Sequence, residues 1–240
     1  YRESYLADIY DAARIVEQMD NIHFFQRPMV ARDIPDPADL DFNTVYAAIK
    51  GTTKHVGVSF TEADFMKPVF EMLHSVAGGE DKWRARPFVS NTNCFVVPPL
   101  RFATESCLVM EEAVHNGMPV LLLSAGQAGA TAPASIAGAV AQALSEVIAG
   151  LIYVNAMKPG HPCICGTWPF VSDLRTGAMS GGSGEQGLLT AACAQMLQYY
   201  DLPGGAAAGM ADAKMPDAQS GYEKGSTLVM AGLSGLNMVY

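Results

Sequence analysis

The stretch CICGTWPFVSDLRTGAMSGGSGE, residues 163–185, sets the pattern on which the fold prediction depends. A short apolar strand at 162–166 leads into a long loop, and a helix begins at Glu185. Loops longer than about 12–15 residues in a compact domain are usually functional. This loop carries two aromatic side chains, an acid and a base, which are Trp168, Phe170, Asp173 and Arg175. The stretch therefore predicts a pocket for a small organic ligand at the end of a buried strand.

The same strand-then-helix unit recurs along the chain. Candidate strands lie at 22–26, 55–59, 88–89, 119–124, 162–166 and 204–209. Candidate helices with apolar residues at helical spacing lie at 5–19, 37–50, 62–76, 101–116, 134–155, 185–200 and 221–239. Short apolar strands without clean alternation indicate a parallel sheet that is buried on both faces. Alternating units of this kind give either a doubly wound sheet or a (β/α)₈ barrel.

The barrel is favoured because polar or aromatic residues follow almost every candidate strand. These are Arg27, Thr61, Asn91, Asn93, Gln127, Trp168, Asp212 and Lys214. A barrel builds its site from all the loops at one face, whereas a doubly wound sheet concentrates it at one switch point. We predict an α/β protein with a (β/α)₈ TIM barrel, present as a partial segment of about six βα units. We expect one domain over 1–240, truncated at one or both ends, because the chain begins without Met and ends within an apolar pattern.

Composition favours a globular protein and argues against several other classes. The 240 residues are 50% hydrophobic and 16% charged, which is enough to build a large core, and the net charge of −9 argues against a nucleic-acid binder. No uninterrupted apolar run reaches about 18 residues, so we predict no membrane span, although 135–154 comes near. Five scattered cysteines do not suggest a disulfide framework and indicate a reducing cytoplasm.

Two short motifs have both a functional and a structural interpretation. Residues 182–187 match G-x-G-x-x-G, but the preceding strand ends too early for a dinucleotide fingerprint. The helix start could instead hold an anionic group such as a carboxylate. His161, Cys163 and Cys165 offer zinc ligands, yet no second cysteine pair follows, and buried cysteines are common in strands.

The aromatic and polar loop residues also leave alternatives open. Most aromatic residues belong to a core, but Trp168 and Phe170 follow a strand in a glycine-rich loop, where they would suit a quaternary ammonium group. Asp212 and Lys214 would form a polar site after the last candidate strand. The alternative is a solvated turn in which Asp217 caps the next helix.

Three longer runs carry a family resemblance. GTWPFVSDLRTGAMSGGSGEQ (166–186), GMADAKMPDAQSGYEK (209–224) and NIHFFQRP (21–28) resemble the trimethylamine methyltransferase superfamily, and the match extends over the whole chain. The resemblance implies a (β/α)₈ barrel, longer than this chain, that passes a methyl group from a methylated amine to the Co(I) of a separate corrinoid protein. Since the sequence contains no pyrrolysine, it is similar to the branch that uses quaternary amines such as glycine betaine.

The resemblance also suggests residue roles. A cage for the ammonium group would use Phe25, Trp168 and Phe170. A betaine carboxylate would bind to Arg27, Arg175 or Lys214. The acids that attract the ammonium charge and support catalysis would be Asp173, Glu185 and Asp212.

The expected cofactor is therefore a corrinoid carried by the partner protein, with no metal bound by the chain itself. The expected partners are that corrinoid protein and a small amine, with no nucleic acid or membrane and with a homo-oligomer possible. Three alternatives remain. They are transfer from trimethylamine or another methylated amine, a betaine-binding protein without catalysis, and a zinc-thiolate methyltransferase centred on Cys163 and Cys165.

Overall fold

The computed structural model describes residues 2–240. The helices are α1 (Leu6–Glu17), α2 (Pro37–Gly51), α3 (Met66–Ala77), α4 (Glu80–Ala85), α5 (Thr104–His115), α6 (Ile136–Met157), α7 (Gly184–Tyr199) and α8 (Ala218–Leu233), with a 3₁₀ turn at Ala63–Phe65. The strands are β1 (Phe24–Gln26), β2 (His55–Val58), β3 (Val89–Asn93), β4 (Val96–Val97), β5 (Arg101–Phe102), β6 (Val120–Ser124), β7 (Gln127–Ala128), β8 (Cys163–Thr167), β9 (Phe170–Ser172), β10 (Met179–Ser180), β11 (Gly204–Ala206) and β12 (Met238–Val239).

The main sheet has seven strands whose order follows the chain, β1-β2-β3-β6-β8-β11-β12. A doubly wound sheet would reverse its order at a switch point, so this sheet has the strand order of a barrel. The predicted α/β class is confirmed, and all six predicted strands are present. Two smaller sheets, β10-β9-β7 and β4-β5, lie in the loops that follow strands of the main sheet.

Local signals explain where several helices begin. The Asp36 side chain accepts from the N–H groups of Ala38 and Asp39 and starts α2, with Pro37 in the first turn. Ser183 caps α7, and Asp217 caps α8 by accepting from the Ser220 N–H, as the sequence suggested. These side chains satisfy N–H groups that have no partner within the helix.

The predicted helix at 221–239 is wrong at its end. The helix α8 stops at Leu233, Gly235 adopts a φ of 78°, and Met238–Val239 form a strand. A positive φ is accessible to glycine at little cost and ends a helix readily. The apolar residues after Gly235 therefore belong to a seventh parallel strand.

Contacts between Cα atoms divide the chain into two compact units. The first unit comprises residues up to 93 together with 104–120 and 157–162, and it contains the parallel strands β1, β2 and β3. Phe25, Val56 and Val89 share one face of these strands and are all buried. The apolar side of α3 and the indole of Trp83 are also buried in this unit.

The second unit comprises residues 94–103, 121–156 and 163–240. Within the described residues, α6 is the one helix long and apolar enough to cross a membrane. It packs against protein instead along part of its length. The ring of Phe95 lies over Gly150, and the carboxylate of Glu146 is buried and accepts hydrogen bonds from the Ser124 hydroxyl and the Leu100 N–H. These contacts bury one side of α6 within the unit.

Candidate functional site

The strands β8, β11 and β12 of the second unit have two different faces. Cys165 pairs with Gly204 in register, and a Cβ built on Gly204 would lie 2.9 Å from the Leu197 side chain of α7. This face is therefore covered by a helix. On the opposite face, a Cβ on Gly205 would lie 3.1 Å from the Tyr240 ring and 3.3 Å from the Ile164 side chain.

Two aromatic rings meet on this second face at the carboxyl ends of the strands. Trp168 follows β8, Tyr240 follows β12, and their ring centroids are 5.4 Å apart with planes inclined by 52°. The registers of β8 with β11 and of β11 with β12, continued past the strand ends, place Ala207 between them. Ala207 contributes only a methyl group beside the two rings, which contact each other directly.

Backbone hydrogen bonds fix the main chain at both residues. The Trp168 N–H donates to the Ser124 carbonyl at 2.9 Å, and the Tyr240 N–H donates to the Ala206 carbonyl at 2.9 Å. The Tyr240 hydroxyl donates to the Met238 sulfur at 3.4 Å, and burial raises the pKa of that hydroxyl well above its ordinary value. Tyr240 is therefore a neutral ring at physiological pH.

Tyr240 is a site residue that the sequence interpretation missed. The sequence pattern predicts one helix over 221–239 and so does not reveal the strand Met238–Val239. The signal was present, because Gly235 interrupts the run and Met238 and Tyr240 then alternate with Val239 in the manner of a strand. The pairing of Tyr240 with Trp168 depends on strand register, which sequence spacing does not reveal.

Asp212 lies in the loop after β11 and holds the glycine-rich loop before α7. Its carboxylate accepts from the Ser180 hydroxyl and from the N–H groups of Gly181, at 2.9 Å, and Gly182, at 3.4 Å. Partial burial alone would raise the pKa of this carboxyl, but these donors outweigh that effect and hold the pKa below its ordinary value. The charge of Lys214, whose side chain is exposed, acts in the same direction.

Glu223 of α8 fixes the Asp212 loop in turn. Its Oε2 atom accepts from the N–H groups of Asp212, at 2.7 Å, and Ala213, at 3.2 Å, and its side chain packs against Gly182. Gln219 donates to the other oxygen at 2.8 Å. Asp212 and Glu223 thus join the glycine-rich loop, the loop after β11 and the helix α8.

A cavity of about 390 Å³ lies beside the small sheet, and two predicted acids line it. Asp173 and Glu185 both face this cavity, whose other walls include Val171, Ser180 and Leu189. Arg175 pairs with Asp173 at 3.4 Å, but its side chain is 90% exposed. The backbone and side-chain N–H groups of Arg175 hold the pKa of the Asp173 carboxyl below its ordinary value. The cavity therefore has an ionised, partly neutralised acid at its edge.

The remaining predicted residues lie elsewhere. Phe170 is buried in β9, where it pairs in register with Gln127 of β7, and Phe25 is buried in the first unit. Arg27 follows β1 in the first unit and is half-buried, and its guanidinium makes no hydrogen bond or ion pair with any residue in 2–240. Burial lowers its pKa, and the charge of Asp41 opposes that change.

Burial favours the protonated form of the Cys163 and Cys165 thiols in the metal-free chain. Burial raises the pKa of Cys163 to about 12 and that of Cys165 to about 11, whereas the thiolate is the form that binds zinc. Among residues 2–240, no three His, Cys, Asp or Glu side chains come together in a way that would hold a metal ion. In the described part of the chain, no third ligand therefore joins Cys163 and Cys165 to form the zinc site of the alternative hypothesis.

Sequence comparison identifies relatives over the whole chain. Residues 1–240 match the family described as "Trimethylamine methyltransferase (MTTB)". Trimethylamine methyltransferase MttB of Desulfitobacterium hafniense is 32% identical over 242 residues, which cover 100% of this chain and 48% of that protein. The corresponding protein of Methanosarcina thermophila is 31% identical, covering 97% and 48%. Glycine betaine methyltransferase of D. hafniense strain Y51 is 32% identical, covering 99% and 50%.

Structural comparison supports the fold. Dihydropteroate synthase (FolP) of Thermus thermophilus, a TIM barrel, matches with a TM-score of 0.54 and 11% identity, covering 98% of this chain and 81% of that protein. At this identity the likeness shows the fold alone, and it agrees with the strand order of the main sheet. The chain spans about half the length of the methyltransferases that it matches. On the evidence of the sequence match over residues 1–240, the chain belongs to the trimethylamine methyltransferase family.

Proposed function

We propose that this chain takes part in methyl transfer from a quaternary amine, glycine betaine or a similar compound, to the Co(I) centre of a separate corrinoid protein. The names of the relatives support a methylated amine as the methyl donor. The observation that carries the proposal is the tilted pair of Trp168 and Tyr240 at the carboxyl end of the sheet. We also propose a cytoplasmic location, which the five free cysteines support.

The chemistry asks the protein mainly for binding and orientation. The Co(I) centre supplies the electron pair that forms the new bond to the methyl carbon, and the electrons of the broken C–N bond leave with nitrogen. A quaternary ammonium thus becomes a neutral tertiary amine, and no proton moves. Correct placement of the reacting groups lowers the barrier of such a displacement.

Aromatic rings suit this type of substrate. A quaternary ammonium has no N–H group, so hydrogen-bond acceptors cannot recognise it directionally. The face of an aromatic ring within about 6 Å attracts a cation by about 0.5–1 kcal/mol at exposed positions and by about 2 kcal/mol when both are shielded from water. Trp168 and Tyr240 offer two such rings, and the raised pKa of Tyr240 keeps its hydroxyl uncharged even in mildly alkaline solution.

The acidic residues take supporting roles in this proposal. Asp173 and Glu185 add negative potential at the cavity that they line. Asp212, predicted as a catalytic acid, has its carboxylate engaged by Ser180, Gly181 and Gly182, so we assign it the positioning of the glycine-rich loop. A group already engaged by three donors has little capacity left to bind the substrate directly.

Trimethylamine is the second candidate donor, because most of the named relatives carry that name. The test is methylation of a reduced corrinoid protein by the intact enzyme, followed by the corrinoid spectrum. Glycine betaine, other betaines and trimethylamine are compared in parallel. Methylation with a betaine and not with trimethylamine supports the proposal, and methylation with trimethylamine alone favours the second candidate.

A matched pair of variants connects the activity to the aromatic rings. Tyr240→Leu should reduce kcat/KM for the quaternary amine roughly tenfold, because a loss of about 1.4 kcal/mol of cation–π attraction corresponds to a factor of about ten. Tyr240→Phe keeps the ring and should retain most of the activity. Equal activity of all three proteins would show that the ring plays no part, and absence of methylation with every amine in folded enzyme would refute the proposed function.

A further inference from the structure

The indole N–H of Trp168 is buried and has no hydrogen-bond acceptor among residues 2–240. The chain contains two tryptophans, and the other, Trp83, donates its indole N–H to the Asn116 carbonyl at 2.9 Å. Buried tryptophan N–H groups usually find such a partner. Leaving a buried donor without an acceptor is unfavourable, so the Trp168 N–H has an unused capacity to donate a hydrogen bond.

The surroundings of Trp168 show that its side chain is held by the fold. Its backbone N–H donates to the last residue of β6, Ser124, and its ring rests against Tyr240. The neighbouring position just after β11 is Ala207, which contributes only a methyl group to this face. The same indole therefore offers an aromatic face and, at its edge, an N–H donor without an acceptor.

We propose that Trp168 is a specificity-determining residue whose indole N–H donates to a carboxylate oxygen of the substrate. This inference rests on the proposed function, and it identifies the group that separates a betaine from other quaternary amines. A betaine carries its carboxylate a short distance from its ammonium group, so one indole can contact the cation with its face and the anion with its edge. A charged acceptor is favoured because hydrogen bonds to ionised groups are the stronger kind.

The direct test observes the N–H group itself. In the intact protein labelled with ¹⁵N, the variant Trp168→Phe identifies the Trp168 indole signal by its loss, and the Trp83 signal serves as an internal reference. Glycine betaine should move the Trp168 N–H proton downfield, as formation of a hydrogen bond does. Tetramethylammonium, which has no carboxylate, should not. A signal that glycine betaine leaves unchanged, or that both compounds shift alike, would overturn the inference.

Binding measurements separate this inference from the proposed function. Trp168→Phe keeps an aromatic face and removes the N–H, so it should raise the Kd for glycine betaine about tenfold and that for tetramethylammonium less than twofold. Tyr240→Leu should weaken both ligands alike. If Trp168→Phe weakens both equally, the carboxylate contact is refuted while the aromatic site stands. If the unaltered protein binds and turns over no quaternary amine, the proposed function fails, and this inference with it.

Discussion

Replacing Asp212 with asparagine removes one negative charge and keeps the size of the side chain. A shielded hydrogen bond to a charged group contributes about 1.5–3 kcal/mol, and three would give roughly 4.5–9 kcal/mol. The carboxylate is only partly buried, the contact to Gly182 is long at 3.4 Å, and asparagine keeps one acceptor atom. We therefore expect Asp212→Asn to lower the free energy of unfolding by about 2 kcal/mol.

The pH dependence of this loss follows from the lowered pKa of Asp212. The folded state favours the ionised form, so the stabilisation is present above the unfolded pKa of about 3.9 and disappears as the pH falls through the folded value. Asparagine does not titrate, so the difference in free energy of unfolding between the unaltered protein and Asp212→Asn should narrow only below about pH 4. Urea denaturation followed by circular dichroism at pH 7, 5 and 3.5 measures the gap.

The control for Asp212 is Asp217→Asn in the same loop. Asp217 caps α8 through the Ser220 N–H, and asparagine caps helices about as well as aspartate, so its effect on stability should be small. If the two variants destabilise the protein equally, or if the gap caused by Asp212→Asn does not change with pH, the role assigned to the Asp212 carboxylate is wrong.

Three further predictions concern packing, the exposed ion pair and the thiols. Gly150→Ala places a Cβ in steric overlap with the Phe95 ring. The overpacking should cost about 1–3 kcal/mol, which exceeds the gain of about 1 kcal/mol in helix propensity, so the urea midpoint should fall. Gly225→Ala is the control: its Cβ would have no atom within 4 Å, so the urea midpoint should rise. Removing both charges with Asp173→Asn and Arg175→Gln should lower the urea midpoint only slightly, because the Arg175 side chain is 90% exposed and asparagine can still accept from the Arg175 backbone N–H. The same double variant should slow methyl transfer in the corrinoid assay, and unchanged turnover would contradict the role predicted for the pair. Burial raises the pKa values of the thiols of Cys163, Cys165 and Cys193 to about 11–12. Iodoacetamide at pH 8 should therefore label these three thiols far more slowly in the native protein than in the unfolded protein, and mass spectrometry measures the labelling.

The alternation of strands and helices was predictable because local chemistry specifies it. The apolar run that became β8 is followed by Ser183, whose side chain caps α7, so both elements have signals in the sequence. The apolar run after Leu228 combines two different periodicities. Its apolar residues fit a helix before Gly235 and a strand after it, and the positive φ of that glycine decides the boundary. Element type was therefore predictable where one period dominates and uncertain where two meet.

The candidate site was predictable only in part, because its members meet through the sheet. Trp168 was identified from its position after a strand in a glycine-rich loop. Phe170 lies two residues further on, yet it belongs to a different sheet and is buried there. Tyr240 reaches Trp168 through the registers of β8, β11 and β12, which are long-range pairings that no local pattern specifies.

The glycine at position 205 of β11 is better explained by the site than by the strand. Glycine in the middle of a strand weakens it, and Gly204, Gly205 and Ala206 add little side-chain packing. Backbone hydrogen bonds hold the strand on both sides. The Cys165 N–H donates to the Pro203 carbonyl just before the strand, and the Tyr240 N–H donates to the Ala206 carbonyl. A valine at position 205 would favour strand formation, but its Cβ would lie 3.1 Å from the Tyr240 ring, which would have to shift by a few tenths of an ångström. The sequence therefore accepts a weaker strand at the position where larger side chains would disturb the Trp168–Tyr240 pair.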